Sequence, residues 1–458
     1  MEHLGINIDI RNIPELDPGF IPLHRFNQAF LAGAKKPLGI AVERANGEMA
    51  AVETYIHGTA AMREADCYYV NRLVKTILWM KGGFRIYVRG DEGIYAYLKQ
   101  AYSAVGCQSF DWDYMAGIFE HPFEVVMTDK LPESKDAPKA IGGHLTGCRI
   151  GFDAGGSDRK VSAVIDGEAV YSEEVVWFPK TQSDPDYHYE GIVAALKSAA
   201  SHLPRVDAVG VSSAGIFINN RTMSASLFLK VPKELYDSKV KDIYIRAITD
   251  TFGDIPYCVV NDGDVTALAG AMSLKENSVL GIAMGTSEAV GFVDAKGLIT
   301  GWLNELAFVP VDANPEAMED EWSHDIGCGV KYFSQDSVIK LAPRAGIVLE
   351  EGLSPAEKLK VVQKLMEDDD PRAAAVYRSI GVYLAHTLAY YYSLYECHHA
   401  LLLGRVMSGK GGDLIIATCR KVLEDEYSEV AGALSLALPD EYFRRVGQSA
   451  VAASLPEA

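Results

Sequence analysis

Short apolar runs bounded by Gly, Asn and Asp recur along this chain, alternating with longer stretches of helical period. Near the start, 38–42 and 49–56 flank Asn46-Gly47, which predicts a hairpin. A helix over about 62–80, a strand over 84–88 and a helix over 93–104 complete a small α/β block. Residues 129–147, DKLPESKDAPKAIGGHLTG, are rich in Pro, Gly and charge and read as a linker. Beyond it Cys148, Ile150 and Phe152 mark a strand that ends in Asp153, two glycines and a serine. A second apolar run over 161–165 follows, and Asp166-Gly167 opens another hairpin. Then come a helix over 189–200, a strand over 208–212, a helix over 239–251 and a strand over 257–260. A third hairpin, 279–284 with 289–294, precedes helices over 355–367 and 371–397, a strand over 400–403 and a helix over 414–423. Two hairpin-led α/β halves predict paired lobes with a cleft.

Composition narrows the class. The 458 residues, 48% hydrophobic and 23% charged, fit a globular protein of two or three domains. A net charge of −19 argues against broad binding to nucleic acid, while leaving a local nucleotide site open. No apolar run has the length of a membrane span, and the first residues lack a signal-peptide layout. Seven scattered cysteines without a CxxC pair point to reduced thiols, so a cytoplasmic protein is expected.

Four segments carry candidate chemistry. In GFDAGGSDRK, Gly155 and Gly156 free the backbone N–H groups to approach an anion, and Asp153 at the strand end suits a hydrated cation. VVNDGDVTALAGA ends a strand in Asn261-Asp262 and opens a small-residue helix. LGIAMGTSEAVGFVD turns at Gly285-Thr286-Ser287, and HALLLGRVMSGKGGD places a Gly/Ser loop between a strand and a helix. In this order the segments resemble the ROK family of sugar kinases and repressors, within the actin/hexokinase superfamily, from about Gly147 to Leu455.

The resemblance implies two actin-like (RNase H-like) lobes with an interlobe cleft, preceded by an extra N-terminal α/β domain. Expected boundaries are 1–128 for that domain, 129–147 for the linker, 148–262 for the first lobe and 263–439 for the second, with a C-terminal helix over 440–458 returning to the first. It further implies ATP-dependent phosphoryl transfer to a sugar hydroxyl, with ATP and Mg as cofactors. A hydroxyl is a poor nucleophile, so a carboxylate must take its proton, and Asp262 is the expected base. The plainer alternative to that role is an Asx-rich helix start, with Asp264 capping the helix that begins at Val265; Asn261 and Glu305 would bind the sugar, with a surface-loop carboxylate the alternative at 305. Asp153 would hold Mg through water, with Gly155, Gly156, Ser157 and Lys160 about the phosphates, although Lys160 equally suits a solvated strand position. Gly285, Thr286 and Ser287 would meet the same phosphates, and Gly404, Ser408 and Gly409 the adenosine, with a helix-start turn the alternative for Ser408.

Departures from the family pattern bear on this reading. Phe308 stands where a histidine would follow Glu305, and Glu321 and Ser323 replace two cysteines of the zinc motif, leaving Gly327-Cys328; no structural zinc is expected. Glu288 follows the second turn where glycines are usual, Arg405 replaces a glycine of the adenosine loop, and Ser157-Asp158 replaces Thr-Lys. The alternative is therefore a catalytically degenerate sugar- or nucleotide-binding regulatory protein. The first block lacks a basic recognition helix, which disfavours a repressor, so no nucleic-acid partner is expected; no membrane partner is expected either, and the family resemblance implies a possible homodimer. Its aromatic stretch FDWDYMAGIFEHPFEV is expected to pack, and the rings of the 177–191 loop to anchor it or to stack on a sugar.

Overall fold

The computed structural model describes residues 1–136, 141–439 and 441–457. Residues 137–140 of the expected linker, and 440 and 458 of the expected C-terminal helix, lie outside the described residues. The chain is a mixed α/β protein, as its periodicity implies. It divides into a smaller unit, Pro138–Gly281 with Gly291–Gly301 and Pro439–Ala458, and a larger one, Met1–Ala137 with Ile282–Val290 and Trp302–Leu438.

The smaller unit is built on five strands: β1 Cys148–Ala154, β2 Asp158–Ile165, β3 Glu168–Val176, β4 Ala208–Ser213 and β5 Tyr257–Asn261. Their order is β5-β4-β1-β2-β3. β1, β2 and β3 pair antiparallel, whereas β4 and β5 continue the sheet parallel to β1. Every residue of β1 and β4 is buried, as continuous apolar strands covered on both faces require. Helices α1 Pro185–Ala200 and α2 Ile243–Phe252 bring Ile192, Leu196, Tyr244 and Ile248 against Ile150, Phe152 and Val209. Two further helices, α3 Asp262–Leu274 and α4 Glu441–Ala452, pack against each other, and α4 also lies on β1. Gly151 and Gly210 are paired in register there, and a Cβ on either would overlap the carbonyl of Ser449 or Ala452.

α1 begins four residues earlier than its apolar period suggests, because Asp184 caps it by accepting from the Asp186 N–H and Pro185 occupies its first turn. The segment expected as a loop over 177–191 is therefore partly helical. Its rings are anchors: Trp177 and His188 are buried, and His188 Nε2 lies 3.0 Å from the Pro179 carbonyl.

In the larger unit, strands Lys36–Glu43 and Met49–Ile56 form the expected hairpin within a four-stranded sheet completed by Arg85–Arg89 and Glu124–Met127. The aromatic stretch at 109–119 is a helix, and Phe110 and Tyr114 stack on Trp79 of the Arg63–Lys81 helix. The N-terminal block shares buried contacts with later residues of this unit. Phe20 meets Tyr332 and Tyr383, and Arg72 donates to both carboxylate oxygens of Asp325 at 3.0 Å. A second sheet has the order Glu288–Val293, Val279–Met284, His399–Leu403, Ser435–Ala437, and Ile282–Val290 of its hairpin belongs to this unit.

Candidate active site

Three adjacent parallel strands of the smaller unit end in polar residues. The register sets Asp153 beside Ser212, and Ala154 beside Ser213, which in turn pairs with Asn261. β1 has the antiparallel hairpin partner β2 on one side and parallel β4 on the other. In open α/β sheets ligands bind outside the carboxyl ends of parallel strands.

Ser212 Oγ donates to Asp153 Oδ1 at 2.9 Å, and Tyr244 of α2 donates to Ser213 Oγ at 2.9 Å. Asp153 is 8% exposed. Burial pushes its carboxyl up to about 6; Asp262 adds to the rise, while the Ser212 hydrogen bond and Lys160 oppose it. Burial also raises the Asp262 carboxyl, against the backbone N–H groups it faces and the charge of Lys180. Asp262 thus opens α3 as a buried acid rather than standing on the strand itself. The cap is Asn261, whose Oδ1 accepts from the Gly263 N–H at 2.7 Å while its Nδ2 donates to the Gly215 carbonyl at 2.8 Å. Asp264, the alternative cap, is buried, and its Oδ1 accepts from the Phe292 N–H.

The turn between β1 and β2 holds Gly155, Gly156 and Ser157, the last two exposed. Trp177 fastens it, donating through Nε1 to the Gly155 carbonyl at 2.7 Å and through its backbone N–H to the Ser157 carbonyl at 3.1 Å. Lys160 is the cross-strand partner of Asp153 and lies 4.0 Å from Glu174. Asp153, Gly155, Gly156, Ser157, Lys160, Asn261 and Asp262 are thus drawn together in one unit.

The other candidates lie in the larger unit. Gly285 N–H donates to the Ser287 carbonyl, the Gln335 N–H donates to the Gly285 carbonyl, and Arg405 Nη2 donates to Thr286 Oγ1 at 2.9 Å. Gly404 has φ +98°, and a Cβ there would overlap the backbone of Met284. Ser408 is the extended residue before the Gly409–Glu426 helix, and its side chain makes no capping bond. Gly409 has φ +65°, beside the Glu367 carboxylate, which accepts from the Lys410 N–H. Glu305 is half-buried, its N–H bonded to the Trp79 carbonyl, and its charge acts on Glu288. Glu288 turns into the interior at 3% exposure, and neither carboxylate oxygen has a hydrogen-bond partner among the described residues. Burial first, then Glu305, pushes its carboxyl up to about 8.

No family model matches the sequence, and no curated protein matches it. Solved structures match well. A ROK hexokinase from Thermus thermophilus aligns with TM-score 0.52 and 17% identity, covering 67% of this chain and 96% of that one. A ROK family transcriptional regulator, a homologue of the E. coli MLC protein, aligns with TM-score 0.51 and 15% identity over 68% of this chain and 78% of that one. The chain has the ROK fold.

A ROK fold serves both a hexokinase and a regulator, so the site must decide the chemistry. Two departures from the ROK pattern have packing explanations here. Phe308 lies on Trp79 with ring centroids 4.2 Å apart, filling an apolar position. In the segment of the zinc motif, Ser323 Oγ donates to Asp320 Oδ2 at 2.7 Å and Lys331 Nζ donates to Glu321, while Arg72 and Lys75, against burial, hold nearby Asp325 well below the usual carboxylate range. Among the described residues no group of three or more His, Cys, Asp or Glu is arranged to hold a metal ion. Sequence reasoning missed Ser212, Lys180 and the Arg405–Thr286 bond. Ser212, within the short VSSAG strand end, was within reach of a register argument, whereas the two cations reach their partners only through the fold.

Proposed function

We propose that this chain is an ATP-dependent kinase of a sugar hydroxyl, with Asp262 as general base, its smaller unit being an actin-like lobe. The observation that carries this reading is the carboxylate pair Asp153 and Asp262 at the ends of parallel strands, where burial raises both acids. The β5-β4-β1-β2-β3 order, three antiparallel strands continued by two parallel ones, supports the actin-like assignment.

The donor set fits the cofactors the reading requires. The Asp153 carboxylate supplies hard oxygen suited to a hydrated divalent cation, and the exposed residues Gly156 and Ser157 suit a phosphate. When bound, ATP with magnesium supplies the phosphoryl group; Asp153 would hold the metal through water, and Gly155, Gly156 and Ser157 the phosphates. Gly285, Thr286 and Ser287 are assigned to phosphate, and Gly404, Ser408 and Gly409 to adenosine. The chain's own work lies in proton transfer and orientation. Asp262 Oδ1 accepts from the Gly263 N–H at 3.0 Å, which directs Oδ2 to receive the hydroxyl proton. Asn261 keeps one amide hydrogen for a second hydroxyl, and Glu305 is the further sugar ligand.

The test is ADP release over a panel of monosaccharides. Asp262→Asn should lower turnover by about 10²–10⁴-fold while sugar still binds; an unchanged rate removes Asp262 from the mechanism. A second reading, a sugar- or nucleotide-sensing protein without phosphoryl transfer, draws support from the Arg405 bond, which occupies the Thr286 hydroxyl. A sugar-dependent rise in melting temperature with no ADP formed would favour it.

A further inference from the structure

The first phosphate turn has lost the lysine of the ROK pattern, because Ser157-Asp158 stands in place of Thr-Lys. A positive charge returns to it from another segment. A Cβ built on Gly156 would lie 2.9 Å from Lys180 Cε and 3.2 Å from its Nζ, so the ammonium group overlies the turn. The same ammonium acts on the Asp262 carboxylate. Lys180 makes no salt bridge among the described residues, although acidic residues outnumber basic ones by 62 to 43 in the chain.

Its backbone is held in place. Lys180 sits in the single 3₁₀ turn Pro179–Thr181, whose Pro179 carbonyl is bonded by buried His188 and whose preceding Phe178 N–H donates to the Tyr187 hydroxyl at 3.1 Å. Trp177, three residues before it, is bonded twice to the Gly155–Ser157 turn. Turn and lysine therefore form one braced structure. An ordinary solvated lysine requires neither the bracing nor a position over an exposed glycine.

We infer that Lys180 and the Gly155–Ser157 turn together form a binding site for the phosphate chain of the donor, with Lys180 as its cation. The exposed Gly156–Ser157 turn and the ammonium beside it are complementary to a linear polyphosphate, and the bonds formed are charge-assisted. This rests on the kinase reading for its placement, but binding alone tests it.

The probe is magnesium tripolyphosphate, titrated calorimetrically into the full chain. Lys180→Met should weaken its binding about tenfold or more, while Lys180→Arg restores most of the affinity. Lys197→Met, which removes the same charge from the exposed surface of α1, should leave binding as in the parent. Thermal melting of Lys180→Met should match the parent, since the side chain is exposed. Equal affinity in Lys180→Met and the parent, or no binding by the parent, overturns the inference. The two readings fail separately. Lys180-dependent binding without ADP release ends the kinase reading and keeps this site, whereas ADP release with Lys180-independent binding does the reverse.

Discussion

At the scale of single residues, buried carboxyls with raised values, among them Glu288, Asp153 and Asp262, shape the pH behaviour. Glu288 is neutral in the fold up to about pH 8, whereas in the unfolded chain it ionises near its ordinary 4.5. Between those values the folded state holds the extra proton, so stability falls as pH rises from about 4.5 to about 8. Glu288→Gln should remove that part of the slope, raising the melting temperature at pH 8 and leaving it unchanged near pH 4.5; an unaltered slope would show that the carboxyl is solvated. Asp153, raised to about 6, behaves likewise. Asp153→Asn should therefore stabilise the protein at pH 8, by about 1–3 kcal/mol, yet abolish phosphoryl transfer. Stability gained with activity lost marks a residue kept for its chemistry. Loss of both in urea melts would assign Asp153 to the scaffold. On the kinase reading, the raised Asp262 carboxyl would place the acid limb of turnover above the range of an ordinary aspartate.

At the scale of elements, the site depends on how helices meet strand ends. Asn261 both starts α3 and ties it to Gly215, so it sets where Asp262 stands. Asn261→Ala should cost about 1 kcal/mol through the lost cap, and more in turnover than in stability, because it frees Asp262. α4 reaches β1 only because Gly151 and Gly210 present bare backbone to it. Gly151→Ala should destabilise by about 1–3 kcal/mol or more, with early proteolytic release of the C-terminal helix as the specific sign. Neither consequence was legible beforehand. The strand periodicity marked β1 and the small-residue helix α3, but it did not say that a helix some 300 residues later would need those glycines.

At the scale of the whole molecule, the N-terminal block and residues 302–438 form one compact unit, joined by buried charge as well as by aromatic packing. Arg72→Met would leave Asp325 buried without its main partner, and the expected cost is about 3–5 kcal/mol by chemical denaturation. A cost near zero would mean that Lys75 alone satisfies Asp325. The sequence by itself determined most of the main strands and helices and the succession of Gly turns and acids, because these depend on local period and on residue type, but it missed the Leu23–Gly33 and Gln335–Arg344 helices and the strands Glu124–Met127 and Ser435–Ala437. It also carried the family resemblance, since Asp153, Asn261-Asp262 and the turn at Gly285 lie at recognisable places along the chain. Tertiary structure alone decided that Lys180 covers Gly156, that Arg405 clasps Thr286, and that Glu288 turns inward. Those contacts join residues far apart in the chain, and a side chain's solvent exposure and charge partners exist only once the elements pack.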